Sequence, residues 1–449
     1  MSAFPESRFA HASIAQYAAR LRSGELSALE ATEALLRRID ALNPKLGAYT
    51  FVAAEYARAQ ARDIDARLRA RADSGPLMGV PVAVKDLYQV DGLPLTAGSQ
   101  LDVSHIVRSE GPLARTLKRA GAIILGKTWT SEFALGGINF IRRVPWNPCD
   151  AETHRTPGGS SGGSAVAMAA GLCTFALGTD TGGSVRMPAA LCGVFGHKFS
   201  ASAFPLEGIF PLSPTLDSPG VFTKDARDAI VVWEALGGTR VERELPLREL
   251  RFARPTPLFY DDLDAEVERA VERALERLQR AGARVEHLDV PEVLEFEALF
   301  GRIVPAELIG ILGRERVRAD FERLDPVTKA RFTAALAASS ADSRVRADLE
   351  ALRQRVHARI AGYDAWLTPT APLVPTPLEG YKSVEAALEW NRRALRNTRP
   401  GNVFNQCGVS LPLPGTALPV GLQIVCAAGA DAKLLGIARV VESALSSPE

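Results

Sequence analysis

The chain has 449 residues, 47% of them hydrophobic and 23% charged. That length and balance permit a large buried core and exclude a mainly disordered chain. Lys and Arg total 53 against 52 Asp and Glu, so the formal net charge is +1. There is no basic excess to hold a phosphate backbone, which argues against a nucleic-acid partner.

At roughly 150 residues per domain the chain could hold up to three domains, or one large α/β domain. The five cysteines (149, 173, 192, 407 and 426) are scattered and none has C-x-x-C spacing. A disulfide framework or structural zinc site is not expected from them. The N-terminus lacks a basic region followed by an apolar run, so no signal peptide is expected. The longest apolar stretch, residues 165–178, is broken by Gly171 and falls short of the ~18 residues of a membrane span. The expectation is a soluble, cytoplasmic protein without a membrane segment.

In chain order, Ser27-Ala-Leu-Glu30 has a capping-box pattern, followed by Leu29, Leu35, Leu36, Ile39 and Leu42 at helical spacing. Pro44 is expected to end that helix, and residues 1–72 read as a helical layer. Gly79 to Lys85 is a buried-strand pattern ending in a lysine. A helix over 111–119 leads into a strand candidate over 121–125. Residues 157–200 are rich in Gly, Ser and Ala and hold only Asp180, Arg186 and Lys198 as charges. They read as loop, helix (164–171), strand (173–177) and a second Gly-rich loop. From Asp264, Val267, Ala270, Val271, Ala274, Leu275 and Leu278 form one apolar helical face, with Gly282 placed to end it. Strands are expected over 285–290, 363–367 and 420–425, with mostly helix over 291–362. Strands alternating with helices throughout, with no dividing linker, indicate the α/β class.

Three motifs compete for the chemistry. Gly121-Ala-Ile-Ile-Leu-Gly126-Lys127-Thr128 fits the phosphate-loop pattern. Its four intervening residues favour strand over the flexible loop that nucleotide binding needs. Gly158-Gly-Ser160-Ser-Gly162 fits G-x-S-x-G, but the polar, turn-forming residues before it do not supply the strand of a nucleophile elbow. The six histidines (11, 105, 154, 197, 287 and 357) sit in no recognisable base motif.

The third constellation is Lys85 at a buried strand end, Ser160 in the first Gly-rich loop and Ser184 in the second. Consecutive glycines in Gly178-Thr-Asp180-Thr181-Gly182-Gly183-Ser184 let backbone N–H groups converge, as an oxyanion hole requires. Serine needs a base to attack, and a lysine buried without an acid partner is driven toward the neutral amine. Ser160 is then available as a proton relay between Lys85 and Ser184. Asp86 could pair with Lys85 and hold it charged, but in a strand it points to the opposite face.

Residues 157–198 resemble the amidase signature family. G-G-S-S-G-G-S, G-T-D-T-G-G-S-V-R and P-A-A-L-C-G-V-F-G-H-K stand in that family's order. V-A-V-K-D-L, L-P-L-T-A-G-S, S-E-F-A-L-G-G and P-V-G-L-Q-I-V extend the likeness from about residue 20 to the end. The resemblance implies one α/β domain over 1–449, with a large mixed sheet sandwiched by helices. Within it, 79–240 would be the catalytic core and 241–449 would complete the sheet and pocket.

By position the resemblance makes Ser184 the acylated nucleophile, Ser160 the bridging serine with a cis peptide, and Lys85 the general base. Thr181, Gly182, Gly183 and Ser184 would supply the oxyanion hole, and Asp180 and Arg186 would brace it. Gly136, Gly137 and Ser161 would border the substrate. No cofactor and no metal are implied.

The implied activity is hydrolysis of a small-molecule amide. The alternative is a glutaminase component of a tRNA-dependent amidotransferase. A homodimer is expected from the apolar surfaces of the Arg-rich helices. Two segments depart from the family: 196–203 lacks its usual Pro and Gly-Arg, and 138–155 is unlike familiar members. Arg142, Arg143, His154 and Arg155 in the latter could anchor a substrate carboxylate or form a solvated face.

Overall fold

The computed structural model describes residues 12–241, 246–337 and 344–446. Residues 1–11 of the N-terminal layer, His11 included, lie outside them. That layer holds helices Ile14–Arg22, Ala28–Leu46 and Ala54–Arg69, with a strand, β1 (Tyr49–Val52), that periodicity did not predict. Ser27 and Glu30 form the reciprocal capping box. The second helix does not stop at Pro44. It runs to Leu46 and ends where Gly47 turns left-handed at φ 63°, since a proline in a last turn removes only one hydrogen bond near an end that frays anyway.

The remaining strands are β2 (Pro81–Lys85), β3 (Ile123–Thr128), β4 (Phe175–Thr179), β5 (Phe195–Lys198), β6 (Pro219–Thr223), β7 (Arg251–Thr256), β8 (Arg284–Asp289), β9 (Ala365–Pro369), β10 (Gln406–Pro412) and β11 (Gly421–Ala427). They form one mixed sheet in the order β1-β3-β2-β4-β6-β5-β10-β11-β9-β7-β8. β2 runs parallel to both β3 and β4. Every residue of β2 through β6 is buried, so helices cover both faces of the sheet there. The helix Ala265–Arg280 buries all six residues of its forecast apolar face. Among the described residues no helix is long and apolar enough to cross a membrane.

Two boundary shifts matter for the site. β3 extends through Gly126-Lys127-Thr128, so the phosphate-loop look-alike is sheet. β4 starts and ends two residues later than expected, which puts Thr179 at its carboxyl end. In open α/β sheets ligands gather at the carboxyl ends of parallel strands. Lys85 and Thr179 occupy that end of neighbouring parallel strands.

Candidate active site

Lys85 is fully buried. Its Nζ lies 2.7 Å from Ser160 Oγ and 2.8 Å from Thr179 Oγ1, two hydroxyls and no carboxylate. Burial draws its pKa from 10.5 down to about 7, against the weaker opposing pull of Asp180 and Asp217. Asp86, the adjacent acid, bonds Lys127 on β3 at 2.9 Å. The lysine of the phosphate-loop look-alike is therefore a buried sheet ion pair.

Ser160 is fully buried and follows a cis peptide bond with Gly159. The loop around it is closely walled. A Cβ on Gly159 would stand 2.7 Å from the Gly137 Cα and 2.9 Å from the Gly136 carbonyl. The Gly137 N–H in turn donates to Asn391 Oδ1 at 2.7 Å. The Ser161 N–H donates to the Ser184 carbonyl at 3.3 Å, which joins the two Gly-rich loops where Ser160 and Ser184 stand. Ser184 is 5% exposed, and its hydroxyl has no hydrogen-bond partner among the described residues.

The second loop wraps around Asp180. Its carboxylate accepts from the N–H groups of Gly183 (2.8 Å), Val185 (3.1 Å) and Arg186 (3.3 Å), at the start of helix Arg186–Cys192. The Arg186 Nε and Nη2 grip it in bidentate fashion at 3.1 and 2.9 Å. Burial pushes the Asp180 pKa up, but the Arg186 charge and its hydrogen bonds outweigh it and hold the carboxyl well below its usual range. Asn402 and Gln423, from helix Arg399–Val403 and β11, satisfy the rest of the guanidinium. Both were missed by sequence reasoning, although Gln423 lies in the quoted P-V-G-L-Q-I-V run.

Gly183 is not available as an oxyanion donor, because its N–H is taken by Asp180. The N–H groups of Thr181, Gly182 and Ser184 donate to no protein acceptor among the described residues. Ser161 turns toward the sheet: its hydroxyl exchanges hydrogen bonds with the Thr179 backbone at 3.2 and 3.3 Å. Thr181 Oγ1 donates to Asp217, whose burial pushes it up to about 7.

The departing segments have distinct fates. Of residues 196–203, the first five are buried and Ala201 to Ala203 emerge toward the surface: His197 packs among Phe199 and Trp233, and Lys198 donates to the carbonyls of Phe199 and Gln406. The 138–155 loop lines an open groove of about 800 Å³ with Pro377 to Lys382. Its arginines staple the loop. Arg142 donates to the Ser99 carbonyl, Arg143 to Pro44 and Lys45, and Arg155 to Asp150 and Pro375. His154 stacks on Trp146 at 4.6 Å. Only Arg155 is neutralised, by Asp150, while Arg142 and Arg143 bond backbone carbonyls alone and line the groove. Among the described residues no group of His, Cys, Asp and Glu could hold a metal ion.

A family profile described as Amidase matches residues 30–435. The chain is 39% identical to 2-amino-5-chloromuconic acid deaminase of Comamonas testosteroni, covering 97% of this chain and 96% of that protein. It is 34% identical to a glutamyl-tRNA(Gln) amidotransferase subunit of Thioalkalivibrio sulfidiphilus, covering 96% of each. A crystal structure of an amidase superposes with a TM-score of 0.87 at 32% identity, over 97% of this chain and all of that one.

Proposed function

The chain belongs to the amidase family and hydrolyses carbon–nitrogen bonds of small-molecule amides, and on that premise we propose that Ser184, Ser160 and Lys85 perform the reaction. The observation that carries this is a buried lysine with no acid beside it, 2.7 Å from the hydroxyl of Ser160. A neutral Lys85 keeps two N–H bonds and one lone pair. With Thr179 Oγ1 taking one N–H, the lone pair can face Ser160.

Ser184 Oγ attacks the amide carbonyl carbon, its proton passes to Ser160, and the Ser160 proton passes to Lys85. The oxyanion forms opposite the unengaged N–H groups of Thr181, Gly182 and Ser184. As the C–N bond breaks, the relay returns the proton to the nitrogen, which leaves as ammonia or an amine. Water then attacks the acyl-Ser184 ester by the same relay, and the acid leaves with Ser184 restored. The steps balance without a cofactor.

The 39% identical deaminase supports release of an amino group as the product side. A stand-alone enzyme is favoured over an amidotransferase component because the 138–155 loop departs from the pattern expected of such a component. A cytoplasmic location and a homodimer belong to the same reading; the five cysteines are free thiols, as a reducing compartment would keep them.

The test is ammonia release from a panel of small amides by the purified chain and by Ser184→Ala. Turnover by the wild type that disappears in the variant is expected. Equal turnover in both overturns Ser184 as nucleophile. Silence of the chain alone, with ammonia released once the other amidotransferase components are added, overturns the stand-alone reading.

A further inference from the structure

Arg399 begins the helix Arg399–Val403 and is 7% exposed. It leans over the second Gly-rich loop: a Cβ on Gly182 would meet Arg399 Cγ at 3.3 Å and the Phe300 ring at 2.8 Å. Its guanidinium stands 5.0 Å from the Phe300 ring centroid. Its polar contacts are poor. Nη2 lies 3.5 Å from the Asn391 carbonyl, Nη1 lies 3.7 Å from the half-exposed Glu297, and Nε is buried with no partner.

Arg331 is half-buried on helix Pro326–Ala337, which packs against the helices Phe296–Leu312 and Val384–Ala394 that carry Phe300 and Asn391, and it adds a second positive charge felt by Arg399. Among the described residues Arg331 makes no hydrogen bond and no ion pair. Burial draws both guanidinium groups down to about 10, which still leaves them charged at neutral pH. The neighbouring Arg392 is already paired with Glu389.

Two like charges drawn out of water, with only the half-exposed Glu297 at 3.7 Å from one of them, are incompletely neutralised, and native proteins pair such groups. An anion that arrives and leaves with the reaction resolves the imbalance. Arg399 borders both walls of the candidate site: Gly182 directly, and Gly137 through Asn391.

We propose that Arg331 and Arg399 bind a carboxylate of the substrate, so that the enzyme acts on amides carrying a free acid a few carbons from the reacting carbonyl. The planar guanidinium forks suit a carboxylate's two oxygens, and Phe300 holds one fork in place. This rests on the 180–184 loop being the reacting centre.

The experiment uses the full chain, with succinamate, glutaramate and adipamate set against the neutral amides butanamide, pentanamide and hexanamide. Wild type is expected to favour at least one anionic member by about ten- to hundred-fold in kcat/KM, the range of a charge-assisted pair. Arg331→Met should bring that ratio near one, mainly through a raised KM for the anionic amide.

Thermal stabilisation by succinate, glutarate and adipate is read in parallel, because it needs no turnover. One of them should raise the Tm of wild type and fail to raise that of Arg331→Met. The variant alone should melt no lower than wild type, since it loses an unpaired charge and no hydrogen bond or ion pair while methionine keeps much of the apolar stem. Equal efficiency on neutral and anionic amides, a ratio unmoved by Arg331→Met, or a Tm rise matched by sulfate at equal ionic strength overturns the proposal. Dicarboxylate stabilisation lost in Arg331→Met, with no amide hydrolysed, supports the anion site and counts against the amide chemistry alone. No stabilisation and no hydrolysis overturns both.

Discussion

Asp86 forms its ion pair with Lys127, at 2.9 Å, and both side chains are buried. The lysine beside it in sequence, Lys85, is left without an acid. This division is what makes one lysine structural and the other chemically available. Asp86→Ala would leave Lys127 charged and unpaired in the sheet, at a cost of about 3–5 kcal/mol. The double change Asp86→Leu with Lys127→Met removes both charges and should regain most of that loss. Denaturant midpoints of the three proteins measure it; a single variant as stable as wild type would refute the pairing as a stabilising contact.

The lowered pKa of Lys85 fixes two pH dependences. If the neutral amine is the base, kcat/KM rises with pH through about 7 and then levels, and Lys85→Met loses that limb together with about 10²–10⁴ of the rate. For stability the sign is separate. Between about 7 and 10.5 the unfolded lysine binds a proton that the folded one does not, so stability climbs with pH across that window. Below it the penalty for the buried charge is fully expressed, on the order of 5 kcal/mol. Asp217, raised from 3.8 to about 7, acts oppositely and earlier: its contribution falls as pH rises from 3.8 to 7. Lys85→Met should therefore be more stable than wild type below pH 7, with the gap closing toward 10.5. Urea melts across that range check it, and a gap independent of pH would contradict the lowered pKa.

Arg186 holds the second Gly-rich loop through Asp180 while reaching Asn402 and Gln423. Arg186→Met would strand a buried carboxylate, with an expected loss of about 3–5 kcal/mol. Arg186→Lys should rescue little. One ammonium cannot present two parallel N–H bonds to Asp180 and still reach both amides. Chemical denaturation and ammonia release would be measured on each; full recovery by lysine would mean that charge alone suffices.

Much of the candidate site is legible in sequence because its parts are local. Ser160, Ser184 and Lys85 each sit in a short glycine-rich or strand-end pattern whose chemistry can be read over a few residues. The apolar face from Val267 to Leu278 was legible for the same reason, as one helix carries it. What escaped depends on contacts between distant segments. Thr179 was known as a loop residue, yet its role beside Lys85 follows from the pairing of β2 with β4. Gly183 looked like a free donor until Asp180 folded back on it. Ser161 looked like a lining residue until its hydroxyl turned to the Thr179 backbone. Arg331 and Arg399 look like ordinary helical arginines, and only their sparse polar contacts in three dimensions set them apart. β1 is four residues long, too short for periodicity to declare.

The close fit of Gly183 against Thr398 gives the most demanding test of loop geometry. Gly183 has φ 120°, a region that L side chains rarely adopt, and a Cβ there would stand 1.9 Å from Thr398 Oγ1 and 2.5 Å from Thr398 Cβ. Gly183→Ala must displace the loop that carries the Gly182 and Ser184 N–H groups, and a shift of about 1 Å in reacting geometry can cost about 10² in rate. Thr398 also donates to the Gly182 carbonyl at 2.9 Å, so Thr398→Val keeps the shape and removes that one restraint. Gly183→Ala is expected to lose at least about 10² in kcat, and Thr398→Val much less, with KM little changed in the latter. Thr398→Gly opens space but does not relieve the backbone strain, so adding it to Gly183→Ala should restore activity only in part. Steady-state kinetics of the four proteins decide the matter: full recovery in the double variant would assign the whole effect to crowding, and no recovery would assign it to φ.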